Sequence, residues 1–240
     1  MRPISAFDLL NIWERSSNHS LPEKGLLLLD TVGSDGDPED PGLLSIGDRD
    51  FRLLQLREWI FGTELQNVSN CPQCAERIEW ITDINDLRVS TQARIGPSHL
   101  FLEADSYNIQ FRLPNSYDLS RHSYGDPKKL LTDCVIEVQK NASNCPADEL
   151  PDEVFSKLDE RMAEEDPQAD IRMRLSCPAC THTWETQFDI VSYLWMEIDS
   201  WAKHILQEIA LLATAFGWSE SQILGLSPRR RQLYLEIIRR

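Results

Sequence analysis

Two Cys-Pro-x-Cys knuckles, Cys71-Pro72-Gln73-Cys74 and Cys177-Pro178-Ala179-Cys180, carry the side chains best suited to chemistry in this 240-residue chain. A knuckle folds back so that two thiolates converge, and two knuckles complete a tetrahedral four-thiolate site. The halves match beyond their cysteines: Glu79 and Glu185, Asp83 and Asp189, and Ile84 and Ile190 recur at the same offsets. Each knuckle leads into a period-two alternation, Ile78, Trp80, Thr82, Ile84 in the first and Trp184, Thr186, Phe188, Ile190 in the second. Such alternation predicts a strand, whereas a redox Cys-x-x-Cys opens a helix. The pattern is that of a zinc ribbon with Cys71, Cys74, Cys177 and Cys180 as ligands, split by the 102 residues between Cys74 and Cys177. Four cysteines leave no open coordination position, so the Zn2+ is expected to be structural. His182 follows the second knuckle as a rival ligand and is assigned to the surroundings of the site.

The elements that must position these knuckles are mostly helical. Ser5 is placed to cap a helix over residues 5–15, and a second apolar element runs through Leu26, Leu27, Leu28 and Leu29. A loop over residues 31–42 is rich in turn formers and acids; the spacing of Asp35, Asp37 and Asp40 does not fit an EF-hand, so it reads as solvated. A helix over 48–61, capped by Asp48 and closed by Gly62, leads into the first knuckle and buries Leu53, Leu56 and Ile60.

Between the knuckles, Leu100–Leu102 and Asn108–Leu113 alternate as a strand pair around Asp105-Ser106. Asn115 or Ser116 caps a short helix, and Asp126-Pro127 opens another carrying Leu130, Leu131, Cys134, Val135 and Val138. Residues 142–170 hold ten acids and two bases, and a helix from Asp152 to Glu164 would bury Val154, Phe155, Leu158 and Met162. Ile171, Met173 and Leu175 alternate into the second knuckle. A long helix over 191–216 then carries a continuous apolar stripe, ended by Gly217. Ser219 and Gln222 form a capping box, and Ser227-Pro228 opens a last helix bearing Arg229, Arg230 and Arg231. The fold class is therefore α+β: mostly helical, with a split ribbon and a small antiparallel element in the insertion. Four segments follow: an N-terminal helical segment over 1–70, the ribbon over 71–84 plus 171–190, an acidic α+β insertion over 85–170, and a C-terminal helical segment over 191–240.

Composition narrows the function. Thirty-nine acids against 24 lysines and arginines give a net charge of −15 and a pI near 4.7, which repels nucleic acid and anionic membranes unless a basic patch intervenes. Cys134 lies in an apolar helical context and reads as core; Cys145 lies in a polar loop. This cysteine usage fits a reducing compartment. Asp8 and Glu14 interrupt the N-terminal apolar stretch, so no signal peptide is expected, and no membrane-length apolar run occurs. A soluble, cytoplasmic protein follows. No nucleophile elbow, P-loop or dinucleotide fingerprint is present, and His19, His99, His122, His182 and His204 are scattered. No catalytic residue is expected and no small-molecule substrate.

Six segments stand out in order: Ala6–Glu14, the run from Arg52 to Gly62, the first knuckle with Glu76, Phe111–Leu119, the second knuckle, and the ending from Gly217 to Leu235. Together they resemble the baseplate hub and hub-assembly proteins of contractile-tailed phages and of related contractile injection systems. The resemblance implies a non-enzymatic structural or chaperone-like assembly role, with other baseplate or hub proteins as partners. Trp218, Leu226, Arg229, Arg230, Arg231 and Tyr234 combine aromatic and guanidinium anchors and are the expected partner-binding residues. The competing reading is a zinc-ribbon nucleic-acid-binding regulator in which the arginine-rich last helix grips phosphate. The net charge weighs against it, and three arginines in a helix's first turn oppose its dipole, which favours pairing with acids.

Overall fold

The computed structural model describes residues 4–33, 40–89, 99–122, 126–141 and 143–239. Asp35 and Asp37 of the acidic loop lie outside them. Chain order begins with helices α1 (Ala6–Arg15), α2 (Leu21–Val32) and α3 (Ile46–Phe61), then strands β1 (Glu64–Asn70) and β2 (Arg77–Asp83) and the short α4 (Ile84–Leu87). The insertion contributes β3 (Leu100–Ala104), β4 (Tyr107–Phe111), α5 (Ser116–Arg121), α6 (Pro127–Cys134), β5 (Val135–Lys140), β6 (Ser143–Asn144) and α7 (Asp152–Glu165). Strands β7 (Arg172–Ser176) and β8 (Thr183–Gln187) precede α8 (Ile190–Phe216), α9 (Glu220–Leu224) and α10 (Pro228–Ile238). The mixed α and β class is as the periodicities predict.

Two compact units divide the chain, one of residues 1–37 with 191–240 and one of 38–190. In the first, Ser5 caps α1 by accepting the Asp8 N–H, and a Ser20–Glu23 capping box starts α2. The apolar run at Leu26–Leu29 resolves as the middle of α2, with Gly25, Leu28, Leu29 and Val32 buried at helical spacing. Leu10 shares a core with Ala202, Ile205, Ile209 and Leu212 of α8, Ile223 and Leu224 of α9, and Leu235 of α10. Trp13 donates its indole N–H to Asp199 at 2.9 Å.

Among its described residues the second unit holds three antiparallel sheets: β1-β2, β3-β4-β5-β6 and β7-β8. Helix α3 begins earlier than the sequence predicts. Ser45 is its cap, and Asp48, expected as the cap, is the residue whose N–H Ser45 receives, at 3.2 Å. Both are good capping residues, and Ser45 takes the extended conformation that the position needs. Buried Arg57 donates to the carbonyls of Gly62 and Glu64, 2.7 Å each, tying the end of α3 to β1. The helix predicted to carry Val135 and Val138 ends at Cys134; β-branched Val135, Ile136 and Val138 instead form β5 against β4. Tyr107, Ile109, Phe111 and Val138 from this sheet pack on Val154, Phe155, Leu158 and Met162 of α7, as predicted for that helix. Asp152, Glu153, Asp159, Glu160 and Glu164 of this helix are exposed, and Glu165 is half-buried.

Candidate metal centre

Each knuckle is the tight end of a β-hairpin. β1 pairs with β2 from Glu64↔Asp83 to Asn70↔Arg77, and β7 pairs with β8 from Arg172↔Gln187 to Ser176↔Thr183. The strands entering and leaving a knuckle fix where its thiols point. The closing bonds are the same in both: Cys71 N–H donates to the Glu76 carbonyl at 2.8 Å and Ala75 N–H to the Cys71 carbonyl at 2.9 Å. Cys177 N–H donates to the His182 carbonyl and Thr181 N–H to the Cys177 carbonyl, 2.9 Å each. The residue after each second cysteine is left-handed, Ala75 at φ 62° and Thr181 at φ 61°. Neither is glycine, so both knuckles hold a backbone conformation that costs an ordinary residue free energy.

The four sulfurs meet. Cys71 Sγ lies 3.7 Å from Cys180 Sγ, and Cys74 Sγ lies 3.6 Å from Cys177 Sγ. All four Sγ atoms fall within 4.8 Å of one another. A zinc ion about 2.3 Å from each of four tetrahedral sulfurs requires them about 3.8 Å apart. The residues fit the ion in number, donor type and spacing. Cys71 and Cys177 are buried while Cys74 is exposed and Cys180 half-buried, so the cluster sits at the rim of its unit.

Electrostatics agree with a cation. Burial pushes the Cys71 thiol up, but N–H donors from Cys74 and Gln73 outweigh it and bring the pKa to about 7. For Cys74 the Glu76 N–H pulls downward, yet Cys180, burial and the other thiols push it to about 12. Cys180 is likewise lowered by the His182 N–H and raised overall by burial and its cysteine neighbours. Protons and thiolates crowd one small volume, and four thiolates can coexist there only around a positive ion. His182 turns its ring onto Trp184, with centroids 6.0 Å apart, and stands outside the cluster.

Residues 27–195 match the family described as the T4 bacteriophage base plate protein, a span that contains both knuckles. The chain belongs to that family. No curated protein and no solved structure matches it. Family membership gives this base plate protein a structural or assembly role in a phage baseplate, with other baseplate proteins as partners. Among the described residues no helix is long and apolar enough to cross a membrane.

The predicted C-terminal contact residues of the base plate protein are placed unequally. Trp218 stacks on Phe216 at 4.7 Å and meets Tyr234 edge-on at 4.8 Å, both half-buried. Leu226 is half-buried, and its carbonyl accepts a hydrogen bond from the Arg231 guanidinium at 2.7 Å. Arg231 is buried and paired with Glu208 at 3.2 Å. Arg229 and Arg230 are exposed at the start of α10, on the side shared with exposed Leu233 and Ile237. Sequence reasoning missed the left-handed residues after each knuckle and the whole of β1. The signal for the first was the equivalent position of Ala75 and Thr181.

Proposed function

We propose that the chain is a zinc-stabilised hub or hub-assembly component of a contractile tail or related injection-system baseplate, acting non-enzymatically and in a chaperone-like way through protein contacts. The observation that carries the reading is the four-sulfur cluster enclosed by the family span. In this reading residues 71–84 and 171–190 are a clasp. Zn2+ held by Cys71, Cys74, Cys177 and Cys180 closes the acidic insertion 85–170 into a loop and supplies no chemistry beyond cross-linking. Segments 1–70 and 191–240 precede and follow the clasp in sequence, and the second carries the partner surface around Trp218, Leu226, Arg229, Arg230, Arg231 and Tyr234.

The test is co-purification of tagged chain with tail proteins expressed together. A chain ending at Phe216 is a poor probe, because Ile223, Leu224 and Leu235 belong to the core. Arg229→Glu/Arg230→Glu alters only exposed side chains. Loss of baseplate proteins from that variant, with thermal unfolding unchanged, supports the surface. Equal recovery from both proteins removes the C-terminal surface from the proposal, and recovery of no tail protein by the parent removes the assembly role.

A further inference from the structure

Strand β7 is bonded to β8 on one side, and among the described residues no strand covers its other side. The register says which backbone groups that free side carries. Phe188 N–H donates to the Ile171 carbonyl at 2.8 Å, and Cys177 N–H donates to the His182 carbonyl at 2.9 Å. In an antiparallel pair, bonded and non-bonded positions alternate, so the odd-numbered residues of this strand face β8. Arg172 and Arg174 therefore turn their N–H and C=O groups outward.

Beside this edge lies a groove of about 580 Å³ within the unit of residues 38–190. Every residue of 170–175 lines it. A strand face contributes alternate residues to a wall, whereas an edge contributes an unbroken run. The other wall is a face, since β2 contributes only Trp80 and Thr82, with Asp86, Leu87 and Val89 beyond them. Among the described residues the groove thus sets main-chain groups without a strand partner next to Trp80, Met173 and Leu175.

We propose that this groove receives an extended segment of another protein, added as a strand to the β7 edge. Main-chain bonds to Arg172 and Arg174 would hold it, and side-chain alternation dictates its sequence. One set of guest side chains falls on the side of half-buried Met173 and Leu175, against Trp80, and must be apolar. The other set falls beside the exposed Arg172 and Arg174. Arg172 is held by Asp170, its Nε 2.8 Å from the carboxylate. Arg174 makes no hydrogen bond or ion pair among the described residues, although Glu185 stands opposite it in the register. An acidic guest residue completes it. The occupant is accordingly a partner segment that alternates apolar and acidic residues. This surface is separate from the C-terminal one and does not depend on the hub assignment.

The experiment pans the full chain against a displayed library of random peptides roughly seven residues long, a little longer than β7 itself. Enriched peptides should alternate apolar and acidic positions. Synthetic copies methylated on alternate amides should bind at least about tenfold more weakly in fluorescence anisotropy. Arg174→Pro removes an outward N–H without removing a β7–β8 bond, so it should fold and lose the peptides. Arg174→Glu faces Glu185 across the pair, so it should unfold cooperatively at a slightly lower temperature than the parent and enrich peptides with lysine or arginine in place of the acid. The proposal is overturned if no peptide is enriched or the enriched peptides do not alternate. It is equally overturned if methylated copies bind as well, or if Arg174→Glu selects the same acids.

Discussion

Gly47 and Asp166 approach so closely that no side chain fits between them. The Asp166 carboxylate accepts the Gly47 N–H at 2.9 Å, and a Cβ on Gly47 would lie 1.9 Å from Oδ1 and 2.7 Å from Cγ. This contact joins the first turn of α3 to the segment just before β7, and it places a carboxylate at a helix N-terminus, where the dipole favours it. Gly47→Ala should lower stability by about 2–3 kcal/mol in chemical denaturation, the range of overpacking a tight site. Adding Asp166→Ala should recover part of that loss, because the clash is then gone. Full additivity of the two changes would contradict the contact.

The four-cysteine cluster makes the metal prediction quantitative. Elemental analysis of purified chain should find roughly one zinc per molecule, and Cys74→Ser/Cys177→Ser should lose both the metal and solubility. Iron at the same stoichiometry would keep the clasp and change the ion. A chelator should lower the unfolding temperature of the parent, and added zinc should restore it.

The left-handed residues give a prediction opposite to the usual effect of glycine. Ala75 at φ 62° and Thr181 at φ 61° hold a conformation that glycine adopts without steric cost. Ala75→Gly and Thr181→Gly should each leave stability unchanged or raise it by up to about 1 kcal/mol, relieved strain offsetting the added freedom of the unfolded chain. A loss above that size in either variant would mean that the side chain, not the turn, matters there.

What could be read in advance divides along physical lines. Helix α7 was legible because Val154, Phe155, Leu158 and Met162 repeat at 3.6-residue spacing, and those four are the side chains it buries. The turn at Asp105-Ser106 was legible from the alternation on either side, and Asp105 sits at φ 54° there. β1 was not, because its inward positions Leu65, Asn67 and Ser69 are mostly polar and leave no alternation to see. Val135 and Val138 fit a helical stripe as well as a strand, and only pairing with β4 decides between them. That Cys71, Cys74, Cys177 and Cys180 come together was legible from spacing alone. The side of β7 that no described strand covers was not, since strand pairing is a property of the assembled sheets.

Asp50 predicts a pH dependence. Burial raises its pKa from 3.8 to about 6, against the pull of Arg49, whose guanidinium lies 2.7 Å away; the carboxylates of Asp189 and Asp166 push in the same direction as burial. Because the folded value exceeds the unfolded one, the native state holds a proton that the unfolded chain has released between about pH 4 and pH 6. Stability from this group is therefore present at low pH and lost as pH rises through 6, by about 3 kcal/mol for a shift of this size. Asp50→Asn should flatten that limb in the difference between variant and parent. An unchanged slope would assign the titration to other groups.

The arginines of α10 separate by role. Arg231 is buried, bonded to the Leu226 carbonyl and paired with half-buried Glu208, so Arg231→Ala should destabilise by about 1–3 kcal/mol, as losing the hydrogen bonds of a buried guanidinium does. Arg229→Ala and Arg230→Ala, at exposed sites, should each stay within about 0.5 kcal/mol of the parent. Binding then tells the two uses of the exposed pair apart. If they meet protein, Arg229→Glu/Arg230→Glu lowers recovery of baseplate proteins and random duplex DNA is never retained at low salt. If they meet phosphate, the parent is retained on that DNA and released as salt rises, because phosphate contacts free counterions. A net charge of −15 opposes such retention everywhere except at a local patch. Two exposed arginines at a helix start, next to Leu233 and Ile237, are a small patch with an apolar flank, which suits a protein groove better than a phosphate backbone.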